Sequence, residues 1–137
     1  GKTLSLKDFK GKIVLLNFWA TWCQPCIREL PSMERLQAKF NEGDFNIVAI
    51  SLDRGGAIVE ERLLKRLKLK KLKLYIDKEN KSAQVLGVKF MPTTFIFDRK
   101  SRKLGMLQGG VEWDSQEAIA LIQYFINNPA YPNKAEN

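Results

Sequence analysis

The sequence has 137 residues, of which 45% are hydrophobic, and it contains two cysteines and no histidine. No run approaches the roughly 18 apolar residues of a membrane span, so we expect one soluble domain over residues 1–137, with a loose polar tail from about residue 129. The missing histidines exclude His metal ligands and nucleophiles activated by histidine. Basic residues outnumber acidic ones by 23 to 15, which gives a net charge of +8.

The first half of the chain alternates predicted strands and helices. Residues 1–4 look like the middle of a hairpin, and the apolar, β-rich runs over residues 13–19 and 45–52 predict strands buried on both faces. Between these strands, a helix starting at Pro25 carries apolar residues at steps of three and four, and Pro31 predicts a kink in it. A second amphipathic helix is predicted to follow the glycines at residues 55–56.

The second half predicts a short strand over residues 72–76, a brief helix over 82–86, and a hairpin of strands 94–97 and 104–108. Asp114 with Glu117 three residues later fits a capping box for the last helix, which should end near Asn127. The order β-α-β-α-β-α-β-β-α predicts an α/β fold with a mixed sheet. Its first βαβ unit should be parallel and right-handed.

The two cysteines lie three residues apart, in Trp22-Cys23-Gln24-Pro25-Cys26, directly after the first predicted strand. The amino end of a helix favours a thiolate over a thiol, so Cys23 is the candidate nucleophile. Cys26, one turn further into the helix, should be less exposed and would act as the resolving thiol. Trp22 would shelter the dithiol and offer an apolar contact to a substrate chain.

Thiol exchange competes with three different roles for the cysteine pair. A structural disulfide across so short a loop stabilises little, because it removes little entropy from the unfolded chain. A metal site would need further ligands, and the sequence has no other cysteine and no histidine. The two thiols could also be buried side by side without a chemical role.

The residues around the dithiol resemble the thioredoxin superfamily, and more narrowly its TlpA/ResA-like branch of extracytoplasmic thiol-disulfide oxidoreductases. The similarity rests on Phe-Trp-Ala-Thr-Trp-Cys-Gln-Pro-Cys at residues 18–26, followed by Arg-Glu-Leu-Pro at 28–31. A distant second match is Gly-Val-Lys-Phe-Met-Pro-Thr-Thr-Phe-Ile-Phe-Asp at residues 87–98, which is similar to the branch's cis-proline segment. The resemblance implies a thioredoxin-like fold, with a central mixed β-sheet flanked by helices on both faces.

The resemblance also implies that Met91-Pro92 is a cis peptide facing the dithiol. The backbone of Met91 would then be free to pair with an extended substrate segment. The competing interpretation is a trans proline in a turn that opens the following strand. The catalytic residues expected are Cys23 and Cys26, and the expected substrate-binding residues are Trp22, Gln24, Pro25, Met91, Pro92 and Thr93. No metal site and no cofactor are expected.

Two positions depart from the family pattern. Thioredoxin itself carries a buried aspartate under the dithiol, and the matching strand position here is Asn17. Asparagine cannot take a proton, so proton transfer from Cys26 must use water or another group. Asp53, in the loop after the second strand, could supply an acidic group as in related reductases, but it could equally cap the next helix.

The function that the resemblance implies is reduction of disulfides in partner proteins. The expected substrate is apocytochrome c or a copper-site assembly protein, and a membrane protein is expected to supply the electrons. The expected location is periplasmic or extracytoplasmic, with an N-terminal membrane anchor outside this sequence, and a monomer is expected. The alternatives are a disulfide oxidase or isomerase on the same fold, and a binding protein that holds Cu(I) with the two thiolates.

A basic run extends from Arg62 to Lys73 without an acidic residue. It is typical of a solvated helix face followed by an edge strand that lysines protect from pairing. It contains no aromatic residue to stack on bases, so nucleic-acid binding is not expected. The alternative is that it defines an acidic partner.

Overall fold

The computed structural model describes residues 5–53, 57–77 and 81–128. Within these ranges the chain forms five strands and four α-helices in the order that the sequence predicts, preceded by a short 3₁₀ helix that was not predicted. In chain order these are the 3₁₀ helix η1 (Leu6–Phe9), β1 (Ile13–Trp19), α1 (Gln24–Ala38), β2 (Phe45–Ser51), α2 (Ala57–Leu67), β3 (Lys73–Ile76), α3 (Lys81–Val85), β4 (Thr93–Phe97), β5 (Lys103–Gln108) and α4 (Gln116–Asn127).

The five strands form one mixed sheet in the order β3-β2-β1-β4-β5. β1 pairs in parallel with β2, and β2 in parallel with β3, whereas β4 runs antiparallel to both β1 and β5. Every residue of β1, β2 and β4 is buried, which explains their nearly continuous apolar sequences. The predicted mixed sheet and its parallel first βαβ unit are confirmed.

The two faces of the sheet are covered by different helices. On one face, side chains of α1, α2 and α4, such as Leu30, Leu63 and Ile122, pack against β1 and β2 in a single apolar cluster. On the other face, Phe9 of η1 and Ala83 of α3 pack against a second cluster. The predicted arrangement of helices on both faces is therefore confirmed.

The start of α4 differs from the prediction. Ser115, and not Asp114, is the N-cap residue, and its hydroxyl accepts a hydrogen bond from the Ala118 N–H. The Asp114 carboxylate instead accepts a hydrogen bond of 2.6 Å from Nε of Arg35 on α1. An ion pair with a distant helix, which sequence spacing does not reveal, thus outcompetes the predicted cap.

The predicted edge strand in the basic run is confirmed, because β3 is the outermost strand on its side of the sheet. The loop before it is held by Glu34 of α1, whose carboxylate accepts hydrogen bonds from the backbone N–H groups of Lys70, Lys71 and Leu72. The predicted hairpin at residues 1–4 and the tail from residue 129 lie outside the described residues. Within the described ranges, no helix is both long enough and apolar enough to cross a membrane.

The sheet topology places the candidate site at one edge. β1 delivers the chain to the cysteines at its carboxyl end, Trp19. β4 runs the opposite way, so its first residue, Thr93, lies opposite Phe18. The segment before β4, with Met91 and Pro92, therefore lies at the same edge as the cysteines, where α/β folds commonly place their functional groups.

Candidate active site

Cys23 and Cys26 are joined as a disulfide at the amino end of α1, with their Cα atoms 5.3 Å apart. Cys23 is the N-cap residue, and its sulfur accepts a hydrogen bond of 3.4 Å from the Cys26 N–H. The exposed fractions are 7% for Cys23 and 0% for Cys26, in the order predicted from the sequence. The free N–H groups of this helix end would stabilise a Cys23 thiolate when the bond is reduced.

Three predicted substrate-binding residues surround the disulfide on the solvent side. Gln24 and Pro25 lie between the cysteines and are both exposed. Trp22 is 70% exposed, which is unusual for an indole and leaves its ring free for a partner. Pro25 occupies the first turn of α1, where the missing N–H costs no helical hydrogen bond.

The peptide bond between Met91 and Pro92 is cis, as the resemblance implies. The Pro92 carbonyl accepts a hydrogen bond of 2.8 Å from the Gly109 N–H, which ties this segment to the end of β5. Met91 packs against the apolar cluster that includes both cysteines. Thr93 is buried, and its hydroxyl donates to the Phe90 carbonyl, so its side chain holds the loop and does not face a partner.

Glu29 is a buried acid on α1, one helical turn after Cys26. Its side chain accepts hydrogen bonds from Nδ2 of Asn17 at 2.7 Å, from the Val111 N–H at 3.0 Å and from Nε1 of Trp113 at 3.2 Å. The residue is 2% exposed. Burial raises the pKa of the Glu29 carboxyl above its ordinary value, and the hydrogen bonds from Val111, Asn17 and Trp113 offset only part of that rise.

A cavity of about 360 Å³ reaches Glu29 from the side of Pro25. Its lining residues are Pro25, Arg28, Glu29, Gly110, Val111 and Glu112. Pro25, which lies between the cysteines, and Glu29 therefore line the same cavity. A buried carboxyl with a raised pKa, next to a cavity beside the dithiol segment, is a candidate proton acceptor.

Asn17 links Glu29 to the sheet. Its Nδ2 donates to Glu29 and also to Oγ1 of Thr94 on β4, at 2.9 Å, while its Oδ1 has no hydrogen-bond partner within the described ranges. Asn17 therefore orients the glutamate, and its amide cannot itself take a proton.

Sequence reasoning did not identify Glu29 as part of the candidate site. It sits in the stretch Arg28-Glu29-Leu30-Pro31 that carries the resemblance, yet a charged residue in a helix is usually assigned to the solvent face. One feature of the sequence could have indicated that Glu29 is buried near the dithiol. Glu29 lies three residues after Cys26 and four before Met33, and this spacing places all three on one helical face.

Asp53 was predicted either to assist proton transfer or to cap the next helix. It is 5% exposed, and its carboxylate accepts from the Thr21 N–H at 2.9 Å and from the Thr21 hydroxyl at 3.0 Å. A third hydrogen bond of 3.0 Å comes from the Ser51 hydroxyl. These contacts fix the turn that leads into Trp22 and Cys23.

Solved structures of similar shape identify the fold. A DsbE-type thiol:disulfide interchange protein from Chlorobium tepidum matches with a TM-score of 0.79 and 30% identity, over 88% of this chain and 84% of that chain. An exposed lipoprotein thioredoxin from Streptococcus pneumoniae matches with a TM-score of 0.75 and 26% identity, over 90% of this chain and 93% of that one. The fold is therefore thioredoxin-like, as the sequence resemblance implies.

Sequence comparison gives the family. The model of the AhpC/TSA family matches residues 1–102, so the chain belongs to the AhpC/TSA family. The thiol-disulfide oxidoreductase ResA from Bacillus thuringiensis subsp. konkukian is 38% identical over 109 residues, which are 80% of this chain and 62% of that relative. The chain thus spans less than two thirds of the length of this relative.

Proposed function

We propose that this chain is a thiol-disulfide oxidoreductase that reduces disulfides in partner proteins. The observation that carries the proposal is the Cys23–Cys26 pair at the amino end of α1, with a buried acid, Glu29, one turn below it. The ResA and DsbE names of the relatives support the same class of chemistry.

The reaction begins with the reduced dithiol. The Cys23 thiolate attacks one sulfur of the partner's disulfide, forms a mixed disulfide and releases the partner's other sulfur as a thiolate. Cys26 then loses its proton and attacks the Cys23 sulfur, which frees the second partner thiol and leaves the Cys23–Cys26 disulfide. Two electrons pass from the protein to the partner.

Glu29 is the group to which we assign the proton of Cys26. Proton transfer is efficient when the pKa values of the donor and the acceptor are close, and burial moves the pKa of Glu29 upward, toward that of a thiol. The cavity beside Pro25 allows a water molecule to relay the proton. Glu29 thus provides a proton acceptor, which the amide of Asn17 cannot.

The partner-facing surface in this proposal consists of Trp22, Gln24, Pro25, Met91 and Pro92. Trp22 and Gln24 are exposed beside Cys23, and Met91 belongs to the cis-proline segment at the same sheet edge. An extended partner segment would pair with the Met91 backbone while its cysteine meets Cys23. Thr93 contributes by holding this segment, through its hydroxyl.

We extend the proposal to the setting of the reaction. The partner would be apocytochrome c or a copper-site assembly protein, and a membrane protein would re-reduce the dithiol. The location would be extracytoplasmic, with an N-terminal anchor outside these 137 residues and the domain acting as a monomer. The similarity to an exposed lipoprotein thioredoxin supports the extracytoplasmic location.

The reduction potential of the pair tests the direction of electron flow. Equilibration with a dithiothreitol redox buffer is expected to give a value near that of thioredoxin, about −270 mV, rather than near that of DsbA, about −120 mV. The expectation rests on the Gln24-Pro25 dipeptide, which lacks the histidine usual in the strongest oxidants of the superfamily. A value near that of DsbA would contradict the reductase and favour the oxidase or isomerase.

A further inference from the structure

A second cavity, of about 390 Å³, opens between the turn that precedes the cysteines and α2. It is lined by Thr21, Arg62, Leu63 and Arg66. Thr21 comes two residues before Cys23, whereas the other three belong to α2. Arg62 and Arg66 of the predicted basic helix therefore face the active-site segment.

The two guanidinium groups carry charge that the described part of the chain does not neutralise. Arg62 and Arg66 are four residues apart, on the same side of α2, and both are exposed. Neither forms an ion pair with a described acidic residue. The nearby Asp53 is buried, and its carboxylate is already held by the Thr21 and Ser51 donors. Two cations thus border an open cavity.

Thr21, the lining residue nearest the dithiol in sequence, is itself held in place. Asp53 binds both the backbone N–H and the hydroxyl of Thr21, so the turn between β1 and Cys23 is rigidly joined to the end of β2. Because Thr21 lines the same cavity as Arg62 and Arg66, a group held there would lie beside the turn that leads to Trp22 and Cys23. A partner chain whose cysteine meets Cys23 would place neighbouring residues there.

We propose that Arg62 and Arg66 form a subsite for an acidic segment of the substrate protein, next to the disulfide that is reduced. This inference rests on the proposed function. A guanidinium binds a carboxylate through two parallel hydrogen bonds, and Leu63 supplies an apolar floor for the methylene groups of a glutamate side chain. The subsite would select substrates by charge and would speed their encounter with Cys23.

The cavity favours an acidic peptide over other anions. Its described lining has no aromatic ring on which a base could stack, unlike most single-strand nucleic-acid sites. It also adjoins a cysteine whose substrates are protein disulfides in the proposed function. An anionic membrane surface would require the flat, extended charge of several cations and would not require a cavity shared with Thr21.

Two synthetic cystine peptides test the subsite. One carries glutamates beside its disulfide, the other carries glutamines, and each is reduced by the pre-reduced protein at low and at high salt. The wild-type protein is expected to reduce the acidic peptide about ten-fold faster at low salt, because steering by opposite charge raises association rates by this order. The preference should shrink at high salt.

The variant Arg62→Gln/Arg66→Gln is expected to bring the ratio of the two rate constants close to one. The matched control is Lys7→Gln/Lys10→Gln, which removes two exposed cations from η1 and its C-cap, on the other face of the sheet, and should keep the preference. The variant Arg62→Lys/Arg66→Lys retains both charges and should keep most of the preference.

Several outcomes would overturn the proposal. Equal rate constants for both peptides with the wild-type protein would remove the subsite while leaving the oxidoreductase intact. If neither peptide were reduced, the proposed function itself would fail. Binding to phosphatidylglycerol vesicles that required Arg62 and Arg66, without a preference between the peptides, would replace the acidic partner with a membrane surface.

Discussion

Glu29 and Asp53 are both buried carboxylates at the active-site edge of the sheet, and their hydrogen-bond donors differ. Those of Glu29 come from two distant parts of the chain: Asn17 in β1, and Val111 and Trp113 in the segment before α4. Asp53 receives two of its three hydrogen bonds from Thr21 alone. One acid therefore bridges distant parts of the chain below the dithiol, while the other fixes a single turn beside it.

This difference separates a chemical role from a structural one. Burial raises the pKa of Glu29, and the residue lines the cavity beside Pro25, so it is suited to exchange a proton. Asp53 completes the hydrogen bonding of a backbone N–H and two hydroxyl groups that would otherwise be left without an acceptor. Substitution of Glu29 should therefore change the pH dependence of stability, and substitution of Asp53 should weaken the turn that it holds.

The largest effect is expected for Asn17→Asp, which places a second carboxylate against Glu29. Two ionised carboxylates at the 2.7 Å that now separates Asn17 Nδ2 from Glu29 would repel each other strongly. We expect the free energy of unfolding to fall by about 3 kcal/mol at mildly alkaline pH, the usual cost of an uncompensated buried charge. Most of the lost stability should return at acidic pH, where the two carboxylates share a proton.

Urea unfolding of the oxidised protein at acidic and alkaline pH measures this effect. The double variant Asn17→Asp/Glu29→Gln is the control, because it removes one of the two charges and should recover stability at alkaline pH. If the double variant were no more stable there than Asn17→Asp alone, repulsion with Glu29 would not be the cause.

Asp53→Ala is expected to have the next largest effect. It leaves the Thr21 N–H and two hydroxyl groups without their acceptor, which should lower the free energy of unfolding by about 2 kcal/mol. Ser51→Ala, which removes one donor to the same carboxylate, is the matched control and should cost less. A free energy of unfolding left unchanged by Asp53→Ala would contradict the structural role.

Glu29→Gln should change stability least, by within about 1 kcal/mol, because the amide oxygen can still accept from Val111 and Trp113. The substitution should instead change how the free energy of unfolding depends on pH. The native state of the wild type keeps the Glu29 proton to a higher pH than the unfolded state does, so its free energy of unfolding declines between those two pKa values as pH rises. The Gln variant should lack this decline.

Parallel urea titrations of the wild type and Glu29→Gln across this pH range measure the difference between their slopes. The rate of resolution by Cys26 should also fall in the variant, because its proton acceptor is missing. Equal pH slopes together with equal resolution rates would show that Glu29 is only a packing residue.

The sheet and the dithiol could be predicted from the sequence because both depend on local patterns. The continuous apolar run of β1 and the spacing of Cys23 and Cys26 need no knowledge of distant contacts. The resemblance supplied the cis bond at Pro92, which is confirmed. The N-cap of α4 was predicted wrongly because Asp114 pairs with Arg35, 79 positions earlier.

The surroundings of the dithiol depend on such long-range contacts, and the sequence alone does not show them. The proton-acceptor role proposed for Glu29 depends on Val111 and Trp113, 82 and 84 positions later, which donate hydrogen bonds to its carboxylate. Arg62 and Arg66 looked like part of a solvated helix face, and that face is indeed exposed. Only the structure shows that they border a cavity that Thr21, two residues before Cys23, also lines.

The central claim is that Cys23 attacks the partner and Cys26 resolves the mixed disulfide. Mass spectrometry of Cys26→Ser after incubation with a cystine peptide tests it most directly. We predict a stable covalent adduct between the peptide and Cys23, no adduct with Cys23→Ser/Cys26→Ser, and only oxidised protein with released thiols for the wild type. If Cys26→Ser formed no adduct, or if Cys23→Ser formed it instead, the account would be contradicted.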